Sequence, residues 1–155
     1  MLWEPHQIAF TTWQTASGKA ASTIATRTHW IQYLARTYPH ESALTVTENQ
    51  VTQWLANPNW KPATRKSALQ SIRLFFRYLI DTGQREEDPT HLIPSIPQPR
   101  YNSRAIPTHI ITRALKRAAS AEEEFMILLG AYAGLRRSEI AALHTRNYTA
   151  GWISI

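Results

Sequence analysis

Apolar residues recur at helical spacing along most of the chain, with polar residues filling the opposite faces. The pattern predicts a first helix over residues 5–16, carrying Ile8, Ala9 and Trp13, with a stop at Ser17 and Gly18. A second is predicted over 22–37, ending before Pro39 because the residue preceding a proline resists helical angles. Ile24, Ile31, Ala35 and Tyr38 share one of its faces; Ser22, Thr26, His29 and Tyr33 share the other. The third helix has the clearest local signature. Thr47 caps it, Gln50 returns the bond three residues on, and Val46 and Val51 form a hydrophobic staple; it runs to about Ala56, before the turn "NPNW". The fourth is predicted over 63–82 and stops at Gly83. Its core stripe is Leu69, Ile72, Phe76, Leu79 and Ile80, beside a polar stripe of Lys66, Gln70, Arg73 and Arg77.

Pro94, Pro97 and Pro99 then disfavour both helix and strand and predict a stiff, extended linker. Helical spacing resumes after Thr108 with Ile110, Ile111, Ala114 and Leu115. Ser120 and Glu123 predict a capping box for a helix carrying Phe125, Leu128, Leu129 and Tyr132. A short helix follows Gly134 to about His144, and the final "GWISI" reads as a strand whose partner the sequence does not reveal. The expected organisation is therefore a helical domain over 1–93, a linker over 94–105, and an incomplete second domain over 106–155.

Composition narrows the class. With 43% hydrophobic and 18% charged residues the chain is globular rather than disordered. The net charge of +6 favours a polyanionic partner. The excess is uneven: residues 1–99 carry 9 Lys/Arg against 7 Asp/Glu, and residues 100–155 carry 8 against 4. Without cysteine there are no disulfides or thiolate metal sites. No signal peptide and no 18-residue apolar run is visible, so the expectation is a soluble protein of the cytoplasm with no membrane association. The histidines show no ligand spacing, and neither metal nor cofactor is expected.

One stretch stands out. In "YAGLRRSEIAAL" (132–143), Arg136 and Arg137 sit between a glycine turn and a helix start. Cations there oppose the helix dipole unless an anion binds. A guanidinium in that place can give a phosphate two parallel hydrogen bonds. Glu139, one turn on, is close enough to steady Arg136. The alternative reading is a solvated pair with a local salt bridge.

The extended stretch "YAGLRRSEIAALHTRNY" resembles the first conserved box of the tyrosine recombinases, the phage integrase family: Thr-Gly-Leu-Arg-x-Ser/Gly-Glu-Leu/Ile. Gly134, Leu135, Arg136, Ser138, Glu139, Ile140 and Leu143 match; Ala133 replaces the threonine, and Asn147 stands where an aspartate is common. Upstream, "LQSIRLFFRYLIDTGQREEDPTHLI" is similar to the last helix of the family's core-binding domain, with Asp88–Pro89 in the place of an Asn-Pro step. With the proline linker and the helix after Thr108, the resemblance covers nearly the whole chain.

The resemblance implies a mainly α fold. It comprises a four-helix, SAM-like core-binding bundle, a linker, and the first helices and first strand of a truncated mixed α/β catalytic domain. It implies that Arg136 clamps the scissile phosphate while a tyrosine attacks, with Glu139 supporting it. The family's enzymes form a 3′-phosphotyrosyl link and release a 5′-hydroxyl, without metal or ATP. The lysine hairpin, His-x-x-Arg box and nucleophilic tyrosine have no match here, so a fragment inert by itself is expected. The second and fourth helices would face double-stranded DNA through Ser22, Thr26, His29, Tyr33, Lys66, Gln70, Arg73 and Arg77, and Arg100 and Arg104 in the linker would suit phosphates. The parent would assemble on DNA as a dimer to tetramer in the bacterial host, the fragment alone being monomeric. With Met1 close to the first helix, no separate arm-site domain is expected. That leaves a minimal phage integrase, or a chromosome-dimer-resolving or cassette-type recombinase. Two other classes stay open: a non-catalytic DNA-binding module, and a helical interaction scaffold.

Overall fold

The structure, a computed structural model, describes residues 2–97, 105–149 and 151–154. These form α1 (Glu4–Ala16), α2 (Ala21–Thr37), α3 (Glu48–Leu55), α4 (Pro62–Asp81), α5 (Thr108–Arg117), α6 (Ala121–Tyr132) and α7 (Arg137–Ala141). A 3-10 turn (Thr145–Asn147) then leads into β1 (Tyr148–Thr149) and β2 (Trp152–Ile153). None of the described helices is long and apolar enough to cross a membrane. The chain divides into two compact units, Met1–Arg100 and Tyr101–Ile155.

In the first unit, α1 to α4 close around one core. α4 supplies its centre, burying Ala68, Leu69, Ile72, Phe75, Phe76 and Leu79. Burying a side chain of this kind contributes about 1.5–3 kcal/mol. Helix ends follow local chemistry. Thr47 Oγ1 accepts the Gln50 N–H while Gln50 Oε1 accepts the Thr47 N–H, so the predicted capping box forms, and Val46 and Val51 beside it are fully buried. α4 ends just before Gly83, which adopts φ +69°, a conformation costly for any residue with a Cβ.

On α1 the apolar residues do not all turn inward. Trp3, Phe10 and Gln14 are buried, whereas Ile8 is 61% exposed and Trp13 41%. Trp13 instead covers the rim of the core, stacked on Phe10 at 5.7 Å and tilted against Tyr78 at 5.4 Å. Gln14 is buried with its Oε1 accepting a hydrogen bond from Arg27 Nη1 at 2.9 Å, while its Nε2 meets no partner among the described residues. On α2, Ile31 is buried as expected, but Leu34 joins it where the pattern favoured Ile24 and Ala35.

Two arginines tie the segment after α4 to the bundle. Arg85 donates to the carbonyls of Ala43, Val46 and Glu87 and lies over the Phe76 ring at 5.3 Å. Burial lowers its pKa, opposed by Asp88 and Glu87. Asp88 Oδ1 accepts both the N–H and the hydroxyl of Thr90, at 2.8 and 2.7 Å, which turns the chain after Pro89. Arg73 then donates to Thr90 Oγ1 and to the carbonyls of Thr90 and Ile93. Ile93 and Ile96 rest on the core, so the beginning of the proline segment belongs physically to the first unit.

In the second unit α5 packs on α6, α6 on α7, and the two strands pair with each other. At the start of α6, Ser120 Oγ accepts the Glu123 N–H, but Glu123 reaches past Ser120 to the amide of Ala119. The expected reciprocal box is thus displaced by one residue. The terminal strand does have a partner, correcting the expectation that none was visible. Tyr148 pairs with Ile153 and Thr149 with Trp152 in an antiparallel hairpin, with Gly151 at φ +89°. Asn147 closes the hairpin: its Oδ1 accepts from His144 N at 2.8 Å and its Nδ2 donates to Ser154 O at 3.0 Å. An aspartate there could make the first bond but not the second.

Candidate nucleic-acid interface

Arg136 is the residue immediately before α7. After α6 the chain reverses through Gly134 at φ +68°, and the N–H groups of Ala133 and Leu135 both return to the Leu129 carbonyl. Arg136 is extended, and its carbonyl accepts the N–H groups of Glu139 and Ile140, each at 2.9 Å. Glu139 folds back over this start. Its Oε2 accepts the Arg136 N–H at 2.6 Å, and its Oε1 accepts Arg136 Nη1–H at 2.8 Å. The Glu139 carboxyl is consequently held below the ordinary carboxylate range, first by the backbone bond and then by the guanidinium.

This explains how a cation is tolerated at a helix start: one carboxylate holds both its backbone and its side chain. The Arg136 side chain remains 81% exposed against 25% for Glu139. No described residue engages Nε or Nη2, and those two atoms form one edge of the guanidinium, the edge that meets two oxygens of a phosphate side by side. Arg137 opens α7 beside it, exposed.

On the first unit, Ser22, Thr26, His29 and Tyr33 all lie on the exposed face of α2. Thr26 Oγ1 donates to the Ser22 carbonyl, and the His29 and Tyr33 rings stack at 6.4 Å. Behind them stands an aromatic cluster that the helical spacing of the sequence did not single out. Trp60 lies 5.1 Å from Trp30, 5.0 Å from Trp54 and 5.7 Å from Tyr33, and Trp30 Nε1 donates to Ser67 Oγ. The turn "NPNW" was the available signal, since a reversal there returns Trp60 toward Trp54. The cluster stiffens the α2 face against the start of α4.

The polar stripe of α4 is not uniform. Gln70 is exposed and Lys66 half-buried. Arg77 is exposed and paired with Asp81 at 2.8 Å, a surface bond that is readily exchanged. Arg73 leaves the stripe: its guanidinium holds the 90–93 segment, because that turn has carbonyls with no helical or sheet partner. Arg100 and Arg104 lie outside the described residues.

No protein-family model matches the sequence, and no curated protein sequence matches it. Among solved structures, the integrase from mycobacterium phage Brujita is similar, with a TM-score of 0.60 and 25% identity over 85% of this chain. The match takes in 46% of that integrase, so the chain spans about half its length. The fold of the chain is integrase-like and mainly helical.

Proposed function

We propose that this chain is the DNA-binding and phosphate-clamping part of a tyrosine-type site-specific recombinase that integrates or excises phage DNA. The observation that carries the reading is the exposed Nε–Nη2 edge of Arg136, held from behind by Glu139, in a chain whose fold matches a phage integrase over most of its length.

In this reading the two free N–H groups of Arg136 bind non-bridging oxygens of the scissile phosphate. They stabilise the charge that grows as a tyrosine oxygen bonds to phosphorus and the bond to the 5′-oxygen breaks. A 3′-phosphotyrosyl link and a 5′-hydroxyl result, so the phosphoester energy is kept for rejoining without metal or ATP. Glu139 is a positioning residue, and the tyrosine and the proton donor lie outside these 155 residues. The exposed α2 face, with Lys66, Gln70 and Arg77 on α4, holds the duplex by phosphate and base-edge contacts. Arg73 supports that surface from within. The protein acts in the cytoplasm of a bacterial host and assembles on double-stranded DNA as a dimer to tetramer.

The test uses the protein expressed from its full reading frame on a nicked duplex that traps the covalent intermediate. Wild type yields a protein–DNA adduct. Arg136→Ala loses at least about 10²–10³-fold in adduct formation, with duplex binding and fold retained. Adduct formation by that variant at the wild-type rate would sink the assignment. Binding without any adduct from wild type would identify a non-catalytic DNA-binding module, and no binding at all an interaction scaffold.

A further inference from the structure

The helix α5, "THIITRALKR", contains no acidic residue. His109, Arg113, Lys116 and Arg117 fall on one side of it, and all four are exposed. Ile111, Ala114 and Leu115 take the opposite side and are half-buried where α5 packs on α6. None of the three cations forms an ion pair with a described residue.

Arg113 is three residues from Lys116 and four from Arg117, so like charges face one another, which weakens an isolated helix. The helix dipole accommodates Lys116 and Arg117, which lie in the last turn. It does nothing for Arg113 in mid-helix. A polyanion lying along this face removes the repulsion. The face carries no apolar anchor; Ile110, 40% exposed, stands at its flank. Protein interfaces need an apolar or aromatic centre, whereas a phosphate backbone needs only charge and donors. From His109 to Arg117 the helix rises about 12 Å, a length over which a duplex carries about seven phosphate charges.

We propose that the exposed face of α5 is a sequence-independent contact surface for the phosphate backbone of duplex DNA, through Arg113, Lys116 and Arg117. The proposal rests on the DNA-binding reading above, but on none of the residues that support it.

The test measures anisotropy of a fluorescent, random-sequence duplex titrated with the 155-residue chain, at several salt concentrations between about 50 and 200 mM. In the triple variant Arg113→Gln, Lys116→Gln, Arg117→Gln, the slope of log affinity against log salt becomes shallower by about 2–3, since each neutralised phosphate contributes about 0.9. The charge-preserving pair Arg113→Lys, Arg117→Lys keeps the wild-type slope. Circular dichroism monitors the helix, and if the triple variant loses it, Lys116→Gln alone still shifts the slope by about 0.9. Wild-type binding with an unchanged slope in the Gln variants overturns the α5 surface and leaves the proposed function standing. Absence of salt-dependent binding by wild type overturns both.

Discussion

The two units use the same ingredients, amphipathic helices with sound caps, and reach different results. In Met1–Arg100, four helices from different directions share one core, and Phe10, Leu34, Ile72, Phe75, Phe76 and Leu79 lose all contact with water. In Tyr101–Ile155, Leu129 alone is buried among the described residues. Phe125, Tyr132, Tyr148 and Trp152 are more than half exposed there. α6, α7 and the hairpin line an apolar groove of about 360 Å³ between Phe125, Met126, Leu129, Ile140 and Leu143. Pairwise packing shields one face of each helix, while closure needs elements on several sides. The first unit closes a core of its own, whereas the arginine of the second is placed by local bonds at a turn.

That contrast is open to measurement. The largest effect is expected at the centre of the first core: Phe75→Ala should cost about 3–5 kcal/mol in chemical denaturation, because the surrounding rings cannot close the cavity. Leu129→Ala, with open groove beside it, should cost clearly less; equal losses would mean that the second unit is as tightly closed as the first. A smaller effect separates the two α4 arginines. Arg73→Gln removes bonds to a buried turn and should destabilise by about 2 kcal/mol. Arg77→Gln removes an exposed pair and should change stability by under about 0.5 kcal/mol, its loss appearing in DNA affinity instead. The reverse order would move Arg73 back into the binding surface.

The smallest effect is a titration, and it sets one carboxylate in each unit side by side. Glu139 is lowered by its bonds from Arg136, and Glu41 by bonds from Thr45 and Gln50. A carboxyl held below its unfolded value stabilises above that value and loses its contribution as pH falls through the folded one. The Arg136 amide resonance should therefore shift with a midpoint below that of an unperturbed glutamate, and the transition should vanish in Glu139→Gln. A midpoint at or above that value would mean that the carboxylate does not hold the arginine in solution.

The candidate site was readable in the sequence to the extent that it is local. Arg136 and Glu139 are three residues apart, the spacing at which a helix-start residue and the third helical residue bond each other, and the same holds for Thr47 with Gln50. The aromatic cluster and the role of Arg73 were not readable, because Trp30, Trp54 and Trp60 meet only when α2 packs on α3 and α4. The stripe Lys66, Gln70, Arg73, Arg77 is periodic, and periodicity assigns a face without saying what covers it. The inward face of α1 shows the same limit. Trp13 is more apolar than Gln14, yet Gln14 is the buried one, its Oε1 bonded to Arg27 thirteen residues away.

By itself, then, the sequence determined the helices, their caps, the glycine stops and the pairing of Arg136 with Glu139, all of which depend on bonds within a turn or two. It also determined which faces are charged. Only the tertiary structure decided which aromatic rings became core and which arginine turned inward to free carbonyls. The reason is physical: hydrogen bonds at caps are specified by spacing, whereas burial and the satisfaction of distant donors depend on which surfaces meet.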